Sequence, residues 1–336
     1  MGGGLSASLV WVGILQTVVY LLFIRAIDLY EREQFKYVVP VFIWGFSVAF
    51  AFSYVFNTVF ISSYISTFSS VASVDAADII VRVVVPPAFE ECIKGLALLI
   101  AFAVAWLVSL SRGGYVFSGV MDGIVYGSAV GFGFSIAEDL LYGVQYGEET
   151  FVMRRISMGF LHAAFTSLTG IGIGLIPWVR WKVLKVILPL LGLSGAILLH
   201  GTFNLNLTVT IFEPLAAYAI QFFVLVLYIV IIMAWLAVER RTIRGELRDE
   251  VAAGTISADE YAILPTYFAR RAYYFRLIRT GRLKEWRRAR KRHEAAVDLA
   301  FTKRLSRHSY APPQRLRIQF LRRRIGELRN GQALQV

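Results

Sequence analysis

The residues best suited to chemistry in this chain are carboxylates and histidines that interrupt long apolar stretches. A charged side chain in a hydrocarbon phase costs a few kcal/mol unless it is paired or hydrated, so such residues mark candidate functional sites. The set comprises Glu90, Glu91, Lys94, Glu138, Asp139, His162 and His200.

Two neutral imidazoles and a carboxylate form a typical ligand set for a catalytic zinc ion, with a fourth position left for water. The ion lowers the pKa of that water to about 7, and a nearby free carboxylate can take its proton. Thr166 lies four residues after His162, and Asn204 lies four residues after His200, each on its histidine's own helix face. Asn204 could orient His200 or stabilise a tetrahedral oxyanion. The single cysteine, Cys92, excludes a cysteine-based metal cluster.

The elements that position these residues are membrane-spanning helices. The chain has 336 residues, 57% of them hydrophobic, and its mean hydropathy is +0.60. Apolar runs of about twenty residues recur, the length needed to cross a bilayer. We therefore expect an all-α polytopic membrane protein with seven or eight spans. The seven runs cover residues 5–25, 38–62, 86–110, 117–142, 156–178, 185–206 and 214–238.

The polar residues fall at one depth in this arrangement. Glu90 and Glu91 follow the entrance of the third span, and Glu138 precedes the exit of the fourth. His162 lies early in the fifth span and His200 late in the sixth. Because the chain direction alternates, all these positions lie on one side of the bilayer, about 10 Å inside its surface at 1.5 Å per residue. We expect one shared polar site.

Charge divides the chain into two parts. Residues 239–336 carry 24 Lys and Arg against 10 Asp and Glu, a net charge of +14, while the remainder has a net charge of −2. We therefore expect a transmembrane core over 1–238 and a basic, mainly helical tail over 239–336. Basic residues follow the first, third and fifth spans, so the positive-inside rule places the N-terminus outside and the tail in the cytoplasm.

The tail has helical patterns of its own. Ser257 and Glu260 form a capping-box pattern, and the segment GRLKEWRRARKRHEAAVDLAFTKRL has amphipathic spacing. Contact with anionic lipid headgroups is the favoured interpretation. A solvated tail that obeys the positive-inside rule is the alternative. Nucleic acid is not an expected partner, since no nucleic-acid-binding motif accompanies the charge.

Glycines recur inside the fourth and fifth spans. A phosphate-binding loop is a poor interpretation, because they lie within spans and lack the lysine of such a loop. Close packing of helices is the better one. The glycines are Gly127, Gly131, Gly133, Gly170, Gly172 and Gly174.

Four motifs, EECIK, FSIAEDLLY, HAAFT and HGTFN, occur in this order on successive spans. This ordered set resembles the PrsW family of intramembrane proteases, which is distantly similar to the CAAX prenyl-endopeptidase membrane proteins. The resemblance implies a multi-pass protease of a bacterial or archaeal cell membrane that cleaves a membrane-tethered protein. An anti-sigma factor is one candidate substrate, since the founding PrsW acts on one. Asp139 departs from the family pattern, where we expect Asn.

The resemblance and the zinc chemistry together suggest roles. Glu138, His162 and His200 are the predicted metal ligands, and the expected cofactor is zinc. Glu90 or Glu91 is the predicted general base, with Glu90 preferred by analogy with the motif.

Asn204 is the residue expected to assist the oxyanion.

Two functions other than proteolysis stay open. An ion-coupled transporter would use the same carboxylates and histidines to relay protons or bind a cation, and a non-enzymatic scaffold would use the basic tail for docking.

Overall fold

The computed structural model describes residues 6–68, 81, 83–112, 117, 119–209, 214–307 and 313–330. Over these residues the regular elements are helices. The part that contains the apolar runs consists of Ala7–Ile27 (α1), Phe35–Trp44 (α2), Phe50–Phe68 (α3), Val85–Arg112 (α4), Val120–Tyr146 (α5), Glu148–Met158 (α6), Leu161–Gly174 (α7), Lys182–Val209 (α8) and Pro214–Ala252 (α9).

Among the described residues, seven helical stretches are long and apolar enough to cross a membrane. One of them is built from α2 and α3, which a π-helical segment, Gly45–Ala49, joins into one continuous span. The predicted all-α, seven-span architecture is confirmed, and the protein is a multi-pass membrane protein. The orientation of the spans stays a prediction.

Helix α5 is the centre of the bundle. Every residue from Val120 to Ala137 is buried, and the helix packs against α1, α2, α6 and α7. Helix α8 lies on the other side of α7, and α4 contacts both α7 and α8. The four helices that carry the candidate residues are therefore neighbours.

Glycines let the helix backbones approach closely. A Cβ on Gly170 of α7 would fall on the backbone of Gly123 in α5. A Cβ on Gly133 of α5 would likewise fall on the carbonyl oxygen of Phe42 in α2. The predicted use of these glycines for close packing is confirmed, and such approach strengthens van der Waals contact between spans.

The fifth and seventh predicted runs differ from the helices that the structure shows. The run predicted over 156–178 is interrupted after Met158, because α6 ends there and α7 begins only at Leu161. Helix α9 continues without a break from Pro214 to Ala252. A division after residue 238 therefore falls inside one helix, and the domain boundary stays a prediction.

The tail is folded around the end of α9. It adds Ala258–Ile263 (α10), Tyr267–Arg279 (α11), Leu283–Ser306 (α12) and Pro313–Arg329 (α13). Ile243 and Leu247 of α9 share a buried apolar cluster with Leu299 of α12 and Leu321 of α13. The predicted capping box is present at the start of α10.

A buried cation reinforces this packing. Lys303 Nζ of α12 lies 2.6 Å from Asp249 Oδ1 and 2.8 Å from Glu250 Oε1, both at the end of α9. Arg322 of α13 also binds Glu250, with 2.7 Å between Nη2 and Oε1. Helices α9, α12 and α13 are thus joined by charge as well as by apolar contact.

The glycine contacts predict a matched pair of effects. Gly170→Ala should destabilise the protein by roughly 1–3 kcal/mol, because the added methyl group meets backbone that cannot yield. Gly245→Ala is the control, since a Cβ there meets nothing within 4 Å, and alanine in a helix should be neutral or up to about 1 kcal/mol stabilising. Unfolding in mixed detergent measures both. Equal stability of the two variants would contradict close packing at Gly170.

Candidate metal centre

The first turns of α4 bury three ionisable side chains together. Pro86 and Pro87 lie in the first turn, where a missing backbone N–H breaks no helical hydrogen bond. Lys94 Nζ lies 2.9 Å from Glu91 Oε1 and 3.6 Å from Glu90 Oε2. Lys94 and Glu91 are both fully buried, so this pair compensates its own charge inside the bundle.

Glu91 joins three helices. Its Oε1 accepts hydrogen bonds from Lys94 Nζ at 2.9 Å and from His200 Nδ1 at 3.0 Å. Its Oε2 accepts one from Thr166 Oγ1 at 3.0 Å. Both oxygens are therefore engaged by donors from α4, α7 and α8, which satisfy a carboxylate that would otherwise be costly to bury.

The contact with Glu91 fixes the tautomer of His200. A carboxylate that receives three donors acts as an acceptor, so Nδ1 of His200 carries the hydrogen and Nε2 carries the lone pair. That Nε2 lies 3.9 Å from Glu90 Oε2. The ring is also stacked on Phe165, with centroids 5.1 Å apart and an interplanar angle of 19°. His200 thus presents a ligating nitrogen towards Glu90.

His162 is held at both ring nitrogens. Lys94 Nζ lies 3.3 Å from Nδ1, and an ammonium group can only donate, so Nδ1 is the acceptor. Nε2 then donates to Glu138 Oε2 at 2.9 Å. Lys94 is further fixed by the ring of Phe134, whose centroid lies 3.7 Å from Nζ. For His162 to bind a metal, one of its two contacts must be exchanged for the ion.

The backbone around His162 is positioned by α5. A Cβ on Gly131 would meet the carbonyl group of His162 and the Cα of Ala163. Only glycine at this position lets α5 come so close to the start of α7. The packing therefore sets how far the imidazole reaches towards α4.

Glu90 has an oxygen without a hydrogen bond. Its Oε1 accepts from Asn57 Nδ2 of α3 at 3.2 Å, but Oε2 is buried with no hydrogen-bond partner. One ligand atom each from Glu90, His162 and His200 lies within 4.8 Å of the others, and all three residues are buried. A buried carboxylate oxygen that accepts no hydrogen bond, beside two imidazoles, is well placed to bind a metal ion.

Glu138 and Asp139 face different partners. Glu138 Oε2 contacts His162 and also Arg154 Nη2 of α6, at 2.7 Å. Asp139 is fully buried, accepts from Gln16 Nε2 of α1 at 3.0 Å and lies 3.4 Å from Arg154 Nε. Asp139 thus pairs with Arg154 beside the group of Glu90, His162 and His200. Glu138 contacts both Arg154 and His162.

The predicted meeting of Glu90, Glu138, His162 and His200 is confirmed by these distances. Asn204 lies one turn after His200 on α8 and is half-buried. The roles assigned to these residues from the sequence, including Asn204 at the oxyanion, stay predictions.

Three residues that contact the carboxylates of the site were not predicted from the sequence. Asn57 and Gln16 each stand in an otherwise apolar span, which is a usable signal for a buried polar partner. Arg154 lies between the fourth and fifth predicted runs, where a basic residue departs from the positive-inside pattern and does not by itself indicate a role at the site. Its position depends on α6 folding back against α5, which hydropathy does not indicate.

The family model described as PrsW family intramembrane metalloprotease matches residues 33–236, which include every residue of the cluster. The chain belongs to the PrsW family of intramembrane metalloproteases. No curated protein and no solved structure matches it.

The residues of this PrsW family member fit a metal ion. Two imidazoles and a carboxylate are the donor set that catalytic zinc uses, and Glu90 Oε2 lacks any other hydrogen-bond partner. Glu91 on His200 is the carboxylate–histidine arrangement that orients a metal-binding imidazole. The family and the buried Glu90, His162 and His200 group together imply a metal.

This arrangement predicts that Glu91 acts through His200. Glu91→Gln should lower the affinity for added zinc by roughly 10–100-fold, because the imidazole loses its charged acceptor. Competition with a chelating dye measures the affinity. Glu149→Gln, at an exposed carboxylate of α6, is the control and should bind zinc as the unaltered protein does. An unchanged zinc affinity in Glu91→Gln would contradict a role for Glu91 in metal binding.

Proposed function

We propose that this chain is a zinc-dependent endopeptidase that cleaves a membrane-tethered protein within the bilayer. The observation that carries the proposal is the buried group of Glu90, His162 and His200, whose ligand atoms lie within 4.8 Å of one another. Family membership supplies the reaction class. Zinc in such a donor set supplies Lewis acidity, which polarises a carbonyl group and acidifies water.

We assign Glu90, His162 and His200 as the metal-binding residues. The support is that Glu90 Oε2 accepts no hydrogen bond and lies 3.9 Å from Nε2 of His200. In this assignment Glu138 is the general base, because its side chain is 20% exposed whereas that of Glu90 is 9% exposed. The sequence-based assignment exchanges these two carboxylates, with Glu138 as the ligand and Glu90 as the base.

The remaining polar residues position the reacting groups. Glu91 holds the imidazole of His200, and Arg154 holds the carboxylate of Glu138. Lys94 balances the negative charge of Glu90 and Glu91. Asn204, one turn from His200, is proposed to donate a hydrogen bond to the oxyanion that develops when water attacks a peptide carbonyl.

The position of the cluster suggests where the substrate is cut. The cluster lies near the end of α4 that follows α3, whereas the tail contacts the loop between α1 and α2 at the opposite end of the bundle. With the tail in the cytoplasm and the N-terminus outside, the cut falls near the extracytoplasmic face. A membrane-tethered protein is the proposed substrate, with an anti-sigma factor as the candidate that the family suggests. Anionic headgroups at the basic tail are the proposed lipid partner.

Removing either histidine should abolish both metal binding and cleavage. His162→Ala and His200→Ala should each lose stoichiometric zinc in elemental analysis of the purified protein, and should no longer cut a tethered reporter. The loss of zinc affinity should exceed the roughly 10–100-fold that is typical when a residue that only orients a metal ligand is replaced. Glu149→Gln is again the control. A metal-free, unaltered protein that shows proton-dependent flux would instead support an ion-coupled carrier.

The two carboxylate assignments predict opposite outcomes. If Glu90 binds the metal, Glu90→Gln loses zinc, and Glu138→Gln keeps zinc but loses cleavage. The reverse pattern would restore the assignment made from the sequence. Zinc content and reporter cleavage, measured on the same two preparations, distinguish them. Full activity in both variants would contradict a catalytic role for either carboxylate.

A further inference from the structure

Helix α11 begins at the membrane face of the bundle. Helix α1 ends at Ile27, and the loop that follows it holds the start of α11. Tyr30 donates a hydrogen bond to the carbonyl oxygen of Pro265 at 2.8 Å, and Arg270 donates one to the carbonyl oxygen of Leu29 at 2.7 Å. Since that loop joins two membrane spans, α11 starts where the chain leaves the bilayer.

A second contact holds the tail against the same face. The guanidinium of Arg304 in α12 lies 5.6 Å from the ring centroid of Trp178. Arg180 donates a hydrogen bond to the carbonyl oxygen of Arg307 at 2.9 Å. Trp178 and Arg180 belong to the connection between α7 and α8. The tail is therefore anchored at two inter-span loops and cannot swing freely away from the membrane.

The exposed side of α11 carries large apolar side chains. Phe268 is 81% exposed, Phe275 is 65% exposed and Ile278 is 44% exposed, whereas Leu277 on the inner face is buried. Large aromatic side chains this exposed are unusual in a folded unit unless they meet a partner or a membrane. We call the three exposed apolar residues, together with the exposed Arg271, Arg276 and Arg279, the α11 outer face.

Arginines are interleaved with these apolar side chains. Helix α11 contains four arginines and no acidic residue. Arg271, Arg276 and Arg279 are exposed, and the guanidinium of Arg276 lies 5.6 Å from the ring centroid of Tyr273. Exposed aromatic residues among arginines are the composition of helices that lie in the headgroup region of a bilayer.

We propose that the α11 outer face lies in the headgroup region of the leaflet on the tail side and binds anionic lipid. Phe268, Phe275 and Ile278 enter the boundary between headgroups and acyl chains, and the three exposed arginines bind lipid phosphates. This inference narrows the lipid contact proposed above for the whole tail to one helix face. It does not depend on the protease activity.

The position of the face favours lipid over a protein partner. Its first residues are fixed to a loop that follows a span by only a few residues, so the bilayer is already adjacent. The positive charge complements anionic headgroups, each arginine contributing roughly fivefold to the equilibrium between inserted and free helix. A second copy of the chain is the competing occupant that the experiment must detect.

Fluorescence quenching in nanodiscs tests the proposal on the full chain. Cys92, the only cysteine in the sequence, is first changed to serine. Phe275→Cys is then introduced and labelled with an environment-sensitive dye. Lipids with brominated acyl chains should quench this label. The control is Ala253→Cys, which is exposed and follows the end of α9, about 20 Å of helix beyond Val238, the last residue of the seventh predicted apolar run. It should not be quenched.

The lipid charge is the second variable. Quenching at position 275 should rise when anionic lipid replaces zwitterionic lipid, and the rise should vanish in a variant carrying Arg271→Gln, Arg276→Gln and Arg279→Gln. Equal, water-like emission from the labels at 275 and 253 would overturn the proposal. Disulfide-linked dimers of unlabelled Phe275→Cys would assign the face to a second copy. Because cleavage is not measured, failure here is distinguishable from failure of the proposed protease.

Discussion

The candidate site depends on the hydrogen bonds that the buried carboxylate of Glu91 accepts from three helices. A carboxylate at this depth is costly unless its oxygens are satisfied, and here the donors come from α4, α7 and α8. Removing one partner of such a buried pair typically costs about 3–5 kcal/mol. The same contacts that satisfy Glu91 fix the ring of His200 and hold Lys94 against His162. Stability and site geometry are therefore consequences of one network.

Close helix packing makes this network possible. Side chains as short as Thr166 reach a carboxylate on another helix only when the backbones are near each other. Glycines in α5 and α7 provide that approach, and Gly131 places the start of α7 directly. A bundle with larger residues at these positions would hold the same ionisable groups too far apart to share a metal ion.

The spans and the shared site could be predicted from the sequence, because apolar length and the depth of polar residues are set by the bilayer itself. Apolar length revealed the spans, and the depth of Glu90, Glu138, His162 and His200 revealed the shared site. Side-chain direction did not follow from depth, so the sequence could not show that Glu91 accepts a hydrogen bond from His200 while Glu90 Oε2 accepts none. The partners of Glu138 and Asp139 depend on the return of α6, a tertiary feature without periodicity. The capping box at Ser257 was predictable because it is local.

In the function proposed for this chain, two imidazoles and a carboxylate hold zinc inside the bundle. Zinc-edge X-ray absorption of the purified, unaltered protein tests it most directly. We expect a shell of nitrogen and oxygen at about 2.0–2.2 Å, with the multiple-scattering signature of two imidazoles. A shell of oxygen alone, with no imidazole signature, would contradict it.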